Sequence, residues 1–288
     1  MAAKEILKAF LPGPLIKAVR SLVMGWRQVT ARWRVLPDII IVGAQKAGTT
    51  SLYAYMAGHP QLRRSHVKEV HFFDGGLDPS VDSYARGENY YRAFFPLRPF
   101  LPAGVKTYEA SPLYIYHPLV AGRIARMVPG ARVIALLRNP VERAISHYFH
   151  DQRAGREPLP ILEAMQAEDD RVAAAVARKD FNSPDFIERS YKSRGLYAQQ
   201  LQRYYDQLPE EQVLVLSAEE LFSRPKETLE RVYDFCGVDS GKLPADLTPR
   251  NVGSNRRDVD DDVYTYLSDY FRQPNKALFE LLGRRFDW

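Results

Sequence analysis

The sequence is poor in cysteine: Cys236 is the single cysteine among 288 residues. One thiol excludes an intramolecular disulfide and a zinc cluster built on cysteine ligands. Chains that fold without disulfides are typical of reducing compartments, so we expect a cytoplasmic protein.

Long apolar runs are missing as well. In residues 1–36, Lys17, Arg20 and Arg27 keep every apolar stretch below the roughly 18 residues that a membrane-spanning helix needs. The same segment is interrupted by prolines and has no small-residue cleavage site after it, so it does not resemble a signal peptide.

Strong charge of one sign is absent from most of the chain. The net charge of +5 reflects 40 basic and 35 acidic residues. Residues 1–34 contain seven basic side chains and one acidic side chain, a net charge of +6, which leaves residues 35–288 at −1. A nearly neutral body does not favour nucleic acid as a partner. Hydrophobic residues make up 45% and charged residues 26%, which is ordinary globular composition.

The positive charge therefore lies in residues 1–36, which we predict to be a basic amphipathic segment preceding a domain over 37–288. Its apolar residues recur at alternating spacings of four and three, which places them on one stripe of a helix. They are Leu15, Val19, Leu22, Trp26, Val29 and Trp33. Two interpretations remain open: peripheral contact with the inner face of a membrane, or packing against the domain.

Apolar strands alternate with helical spacings along the rest of the chain. Strands are predicted at 39–42, 131–137 and 212–216, and helices at 49–56, 142–150, 197–208, 225–235 and 263–282. Residues 151–190 are predicted to be a polar insertion over a cleft. This alternation predicts an α/β, P-loop-type three-layer fold with a central parallel sheet flanked by helices.

A phosphate-binding loop follows the first strand. Gly43 and Gly48 have the spacing of a P-loop, which directs backbone N–H groups and a helix N-terminus at a phosphate. A nucleotide triphosphatase would have lysine at position 49, whereas this chain has Thr49 there and Lys46 inside the loop. The lysine has therefore moved from the helix start into the turn.

The second strand ends in Arg138, where a nucleotidase has a carboxylate that holds Mg²⁺. This substitution disfavours metal-dependent phosphoryl transfer. Arg138 and Ser146, in the following helix, suit a second phosphate that is not transferred. Arg143 is expected at the surface, paired with Glu142 or another neighbour.

Taken together, these motifs resemble the sulfotransferase family that uses 3′-phosphoadenosine 5′-phosphosulfate (PAPS). Residues 43–51 resemble its 5′-phosphosulfate loop and residues 138–146 its 3′-phosphate segment. A third block, residues 68–74, is similar to the carbohydrate type represented by heparan sulfate sulfotransferases. The resemblance covers about residues 37–288 and implies direct in-line transfer of a sulfonyl group with no metal.

The resemblance implies roles for individual residues. The catalytic candidates are Lys46, Glu69 and His71. The candidates for binding the nucleotide are Lys46, Ala47, Gly48, Thr49, Thr50, Ser51, Arg138, Ser146, Ser254 and Arg256. At Ala110 the family often has lysine, so one cation facing the substrate is missing.

Chemical argument supports two of these roles. The acceptor hydroxyl loses a proton as it attacks sulfur, so Glu69 is expected to act as the base, with partial burial raising its pKa. Lys46 is expected to stabilise the leaving phosphate. The alternative for Glu69 is a plain salt bridge with Lys68. For His71 the alternatives are that it orients Glu69, binds the acceptor or is structural.

Two groups of residues are candidates for binding the acceptor. Four basic side chains are candidates for a rim over the cleft that would suit an anionic saccharide. The alternative is that they lie on a solvated surface. They are His147, His150, Arg153 and Arg156. Four aromatic side chains lie close together in the sequence, and they either stack on sugars or fill the core. They are Tyr90, Tyr91, Phe94 and Phe95.

We expect PAPS-dependent O-sulfation of a carbohydrate or glycolipid. The alternatives are sulfation of a small natural product or phenol, a P-loop kinase or NTPase, and a non-catalytic nucleotide-binding module. Thr49 and Arg138 argue against the kinase or NTPase, and the presence of Lys46 together with Glu69 argues against the non-catalytic module.

Overall fold

The computed structural model describes residues 13–78, 80–250 and 259–288. Its centre is a parallel sheet of five strands in the order β2-β3-β1-β4-β5. The strands are β1 (Ile39–Gly43), β2 (Leu62–Arg64), β3 (Lys106–Ala110), β4 (Arg132–Leu137) and β5 (Val213–Ser217). Helices flank this sheet, so the predicted α/β architecture is confirmed.

The two central strands are apolar because helices cover both faces of the sheet. Every residue of β1 is buried, and only Arg132 of β4 is partly exposed. The register pairs Ile40 with Val133 on one side and with Glu109 of β3 on the other. Because all strands are parallel, their carboxyl ends and the loops that follow them meet at one edge of the sheet.

Eleven α-helices lie within the described residues. They are α1 (Gly13–Val29), α2 (Thr49–Ala57), α3 (Gly87–Arg92), α4 (Val120–Met127), α5 (Pro140–Arg153), α6 (Ile161–Ala177), α7 (Pro184–Ile187), α8 (Tyr197–Tyr205), α9 (Ala218–Ser223), α10 (Pro225–Cys236) and α11 (Asp261–Leu282). Predicted helices match α2, α5, α8, α10 and α11 to within a few residues.

Strand β3 is missing from the sequence-based prediction because it is polar in composition. It contains Lys106, Thr107 and Glu109, yet four of its five residues are buried. Its position between β1 and β2 leaves no exposed face for Glu109. The carboxyl group is tolerated there because neighbouring hydroxyls satisfy it, as described below.

The predicted polar insertion contains a long helix, α6, which packs on α5 and α11. Arg143, on α5, is fully buried, so the prediction of a surface Arg143 is wrong. The Arg143 guanidinium donates to the carbonyl oxygen of Tyr191. The sequence pattern gave no sign of α6 because residues 151–190 are mostly polar.

Helix α1 forms as its amphipathic spacing predicts. No helix in the described part of the chain is long and apolar enough to cross a membrane. After α1, residues 34–38 lead into the amino end of β1, where the amide of Val35 donates to the carbonyl oxygen of Pro96 over 3.2 Å.

Candidate active site

One cleft opens at the carboxyl edge of the sheet, with a cavity of about 970 Å³. It is bordered by the loops after β1 and β4, the segment that follows β2, and helices α5 and α9. Ligands of open α/β sheets bind at this edge because the strand ends and helix N-termini converge there.

The phosphate-binding loop lies between β1 and α2. Gly48 has a φ of 95°, in the left-handed region, and a Cβ at this position would lie 2.7 Å from the Phe222 ring. Only glycine permits both the turn and this close approach. Helix α2 then begins at Thr49, so its free N–H groups face the cleft.

Lys46 is the cation of this loop. Among the described residues, no carboxylate lies within ion-pair distance of its ammonium group. Burial, assisted by the charges of Arg153 and Arg138, lowers its pKa. A desolvated ammonium group beside Arg153 and Arg138 favours an anionic ligand, and Asp151 in the same cleft offsets part of their charge. These residues therefore fit the phosphosulfate of PAPS.

Arg138 connects the loop after β1 with the start of α5. Its Nη1 donates to the Lys46 carbonyl oxygen over 3.0 Å, and its Nη2 lies 3.3 Å from the Glu142 carboxylate. The contact fixes the loop that presents Lys46. Ser146 lies on α5 and lines the same cleft.

The structure brings most of the predicted nucleotide-binding residues together. Lys46, Gly48, Thr49, Thr50, Arg138 and Ser146 all line the cleft. Ala47 and Ser51 are buried beneath it. The Ser51 hydroxyl accepts from the Arg250 amide over 2.8 Å, so it anchors a distant loop. Ser254 and Arg256 lie outside the described residues.

Glu69 and His71 line the same cavity as Lys46. The His71 Nε2 lies 3.6 Å from the Glu69 carboxylate, and its Nδ1 lies 2.6 Å from Asp74 Oδ2. Glu69 also pairs with Lys68. Asp74, which is buried, holds the imidazole in place and was not recognised as a site residue from the sequence.

The protonation states follow from these contacts. Burial opposes a charge on His71, but hydrogen bonds to Asp74 and Glu69 raise its pKa to about 9. Burial alone would raise the pKa of Glu69, yet the hydrogen bond from His71 and the charge of Lys68 lower it to about 2. The expected rise in the Glu69 pKa is therefore wrong. At neutral pH Glu69 is a carboxylate beside an imidazolium.

A buried network at the end of β3 holds this segment. The Glu109 carboxylate accepts from the Ser111 hydroxyl over 2.9 Å and from the Tyr91 hydroxyl. The Ser111 oxygen in turn accepts from the His71 amide over 3.3 Å, and the Tyr114 hydroxyl oxygen accepts from the Phe72 amide over 2.8 Å. Hydroxyls bound to Glu109 thus fix the backbone that presents Glu69 and His71.

Glu109 gives a testable dependence of stability on pH. Burial, opposed by the hydrogen bonds from Tyr91 and Ser111, raises its pKa to about 7. Its contribution to the free energy of unfolding is complete below the unfolded pKa of about 4.5 and is lost as pH rises through 7. As the pH rises from 5 to 8, we expect the free energy of unfolding of the unmodified protein to fall by about 2 to 3 kcal/mol relative to that of Glu109→Gln, as measured by urea unfolding. Parallel pH profiles for the two proteins would contradict a raised pKa at Glu109.

Arg194 is a second residue that sequence reasoning missed. It is buried beside the cleft and donates to the Gln45 side chain within the phosphate loop. Its Nε donates to Ser190 Oγ over 2.7 Å, which fixes the guanidinium. Gln45 beside Lys46 was the available signal, since a polar side chain in a tight loop needs a partner.

The residues considered for acceptor binding divide into two groups. His150, Arg153 and Arg156 line the cleft, whereas His147 is buried, and burial lowers its pKa to about 3. The aromatic side chains of Tyr91, Phe94 and Phe95 belong to the core, and Tyr90 packs against it. The core interpretation of these aromatics is therefore confirmed.

The chain matches a known protein family over most of its length. Residues 36–251 match the model of the sulfotransferase domain family. The chain belongs to this family, whose members use PAPS as the sulfonyl donor, and it is a sulfotransferase by class. The family predicted from the sequence is confirmed.

The chain is similar to individual sulfotransferases over most of its length. A crystal structure of a sulfotransferase from Alicyclobacillus acidocaldarius is 30% identical, with a TM-score of 0.71, and the match covers 88% of this chain and 98% of that one. The bifunctional heparan sulfate N-deacetylase/N-sulfotransferase 1 of Xenopus laevis is 28% identical over 85% of this chain. The membrane-associated sulfotransferase kil1 of Dictyostelium discoideum is 26% identical over 88% of this chain. This chain spans about 30% of the length of the heparan sulfate enzymes.

Proposed function

We propose that the protein transfers a sulfonyl group from PAPS to a hydroxyl of a carbohydrate or glycolipid. The observation that carries this proposal is that Lys46 and Glu69, from separate loops, line one cleft. A cation for a leaving phosphate and a carboxylate for an acceptor proton are the two groups that in-line transfer needs.

Each residue then has a defined task. Thr49, Thr50 and the amides at the start of α2 hold the 5′-phosphate. Arg138 and Ser146 hold the 3′-phosphate, since an arginine fork and a hydroxyl match its oxygens. Both sets support the proposal because they line the same cleft as Lys46.

The transfer step balances without a protein nucleophile. The acceptor oxygen forms a bond to sulfur while the bond from sulfur to the phosphate oxygen breaks. The leaving phosphate keeps the electron pair, and Lys46 stabilises its charge. The acceptor proton passes to Glu69, which is ionised at neutral pH and is held by the His71 imidazolium.

A carbohydrate acceptor is supported by the polar rim of the cavity and by the relatives. The cavity extends past His150, Arg153 and Arg156; Arg156 is paired with Asp151 and Glu188, so Arg153 is the side chain of this group that best suits an anionic saccharide. The relatives named for heparan sulfate act as N-sulfotransferases, so amino sugars belong in the acceptor screen beside hydroxyl acceptors, small natural products and phenols. A cytoplasmic location and the absence of a nucleic-acid partner stay predictions.

A thermal-shift comparison tests the donor. We expect adenosine 3′,5′-bisphosphate to raise the melting temperature at concentrations where Mg-ATP does not, because Arg138 replaces a metal-binding carboxylate. Transfer of labelled sulfonate from PAPS to the acceptor panel then tests the activity. Stabilisation by Mg-ATP alone would overturn the proposal.

Arg138→Ala is expected to weaken binding of adenosine 3′,5′-bisphosphate about 10- to 100-fold, because a charge-assisted pair contributes roughly 1.5–3 kcal/mol. Isothermal titration calorimetry measures this change. Arg126→Ala, at an exposed position on α4, is the matched control and should bind as the unmodified protein does. Equal affinities for both variants would place the 3′-phosphate elsewhere.

A further inference from the structure

Helix α1 contacts the domain through one side. Met24 packs against the core, and Ala31, just after the helix, is buried. The Arg27 Nη2 donates to the Phe95 carbonyl oxygen over 2.9 Å, and the Arg34 Nη1 donates to the same oxygen over 2.8 Å. Two of the seven N-terminal cations are therefore used to hold the helix in place.

The apolar stripe lies on the opposite side, in solvent. Leu22 is 75% exposed, Trp26 55% and Val29 79%. At about 100° per residue, these side chains point away from Met24 and Arg27. The helix docks by its polar and mixed face and leaves Leu22 and Val29 uncovered, while Trp26 lies at the margin with the Arg34 guanidinium 4.9 Å from its ring centre.

The exposed face continues beyond the helix. Trp33 is 47% exposed, and the Arg32 guanidinium stacks 4.0 Å from its ring centre. Arg34 pairs with Leu97 in an isolated bridge, and the short turn that follows Leu97 carries Phe100, which is 78% exposed. We call Leu22, Trp26, Val29, Trp33 and Phe100 the N-terminal apolar face. Contiguous apolar surface of this kind marks an interaction site.

We propose that this face binds the surface of an anionic lipid bilayer. Residues 1–34 carry a net charge of +6, while the remaining chain is at −1. Of the described cations in this segment, Arg20 and Arg32 are exposed, and Arg32 stacks on Trp33 of the apolar face. Tryptophans beside arginines suit the boundary between headgroups and acyl chains. Each cation near an anionic surface adds to the attraction.

Charge also decides between a membrane and a second copy of the chain. A symmetric dimer through this face would bring two segments of charge +6 together, which is unfavourable. An anionic bilayer neutralises the same charge. The charge therefore favours lipid.

The bound orientation follows from the topology. Helix α1 joins the amino end of β1, whereas the cleft opens at the carboxyl edge of the sheet. Five residues of strand separate the two by roughly 16 Å. The bilayer would hold the enzyme with its cleft turned toward water, so transfer to a water-soluble acceptor should be independent of membrane binding.

Vesicle sedimentation tests the proposal with a charge-matched pair. Leu22→Glu/Val29→Glu alters the N-terminal apolar face, and Leu119→Glu/Val176→Glu adds the same two charges at side chains that are each 46% exposed elsewhere. On vesicles of phosphatidylcholine and phosphatidylserine at 7:3, we expect the first variant to lose at least tenfold in partitioning and the second to bind like the unmodified protein. Raising the salt concentration should weaken binding.

Tryptophan emission gives a second measurement. In a Trp288→Phe background, Trp26 and Trp33 are the remaining tryptophans, so anionic vesicles should shift the emission to the blue. No binding by the unmodified protein, or equal loss in both double variants, would overturn the proposal. So would a dimer in sedimentation velocity that only Leu22→Glu/Val29→Glu disrupts. Binding of adenosine 3′,5′-bisphosphate, measured on all variants, shows independently that each variant is folded.

Discussion

Glu69→Gln should lower the rate of sulfonyl transfer about 10²- to 10⁴-fold, the range for removal of a positioned general base. The amide keeps the size of the side chain but cannot accept the acceptor proton. Affinity for adenosine 3′,5′-bisphosphate should stay within twofold, because Glu69 does not contribute to the cationic phosphate sites. Initial rates with labelled PAPS, together with calorimetry, measure both quantities.

Lys68→Met is the control that separates catalysis from a structural salt bridge. Lys68 forms the ion pair with Glu69 and is partly exposed. If the ion pair is what matters, the two variants should lose activity equally. If Glu69 is the base, Lys68→Met should keep most of its activity, since His71 still holds the carboxylate. Unchanged turnover in Glu69→Gln would remove Glu69 as the base.

Lys46→Met should lower the transfer rate about 10²- to 10³-fold, as is typical when a preorganised group that stabilises developing charge is removed. The loss should appear mainly in kcat, because charge on the leaving phosphate grows as its bond to sulfur breaks. Methionine preserves the length of the side chain, so the loop geometry set by Gly48 and Arg138 should survive.

Lys106→Met provides the comparison for Lys46→Met. Lys106 begins β3 at the opposite end of the sheet and pairs with Asp38 over 3.2 Å. Steady-state kinetics should show no more than a small change for this variant. A loss in Lys46→Met that falls entirely on KM would mean that the lysine binds the donor equally in ground and transition states.

The two central strands were predictable because burial on both faces leaves a purely apolar run. Residues 39–42 and 131–137 carry that signal without any tertiary information. Strand β3 carries no such signal, because Glu109 interrupts it. Only the hydroxyls of Tyr91 and Ser111, brought from other segments, make a carboxyl group acceptable inside the sheet.

The site also combines features that local sequence predicts with features that only the fold supplies. Local spacing was sufficient to identify the phosphate loop, because a turn that wraps an anion is built from consecutive residues. Asp74 and Arg194 act through partners that only the fold supplies: a histidine held by a carboxylate, and a glutamine held by an arginine from 149 residues further along the chain. Arg143 was predicted at the surface because its partner, the Tyr191 carbonyl group, comes from a segment 48 residues further along the chain.

The sequence by itself therefore determined the class of fold, the position of the loop between β1 and α2, and the location of the positive charge along the chain. Each of these depends on residues that are close together in the sequence or on the number of charged residues. The tertiary structure decided the protonation of Glu69, the support of its loop by Glu109, and the side of α1 that faces solvent. The physical reason is that pKa and exposure depend on what surrounds a side chain in space, and those surroundings come from distant parts of the chain.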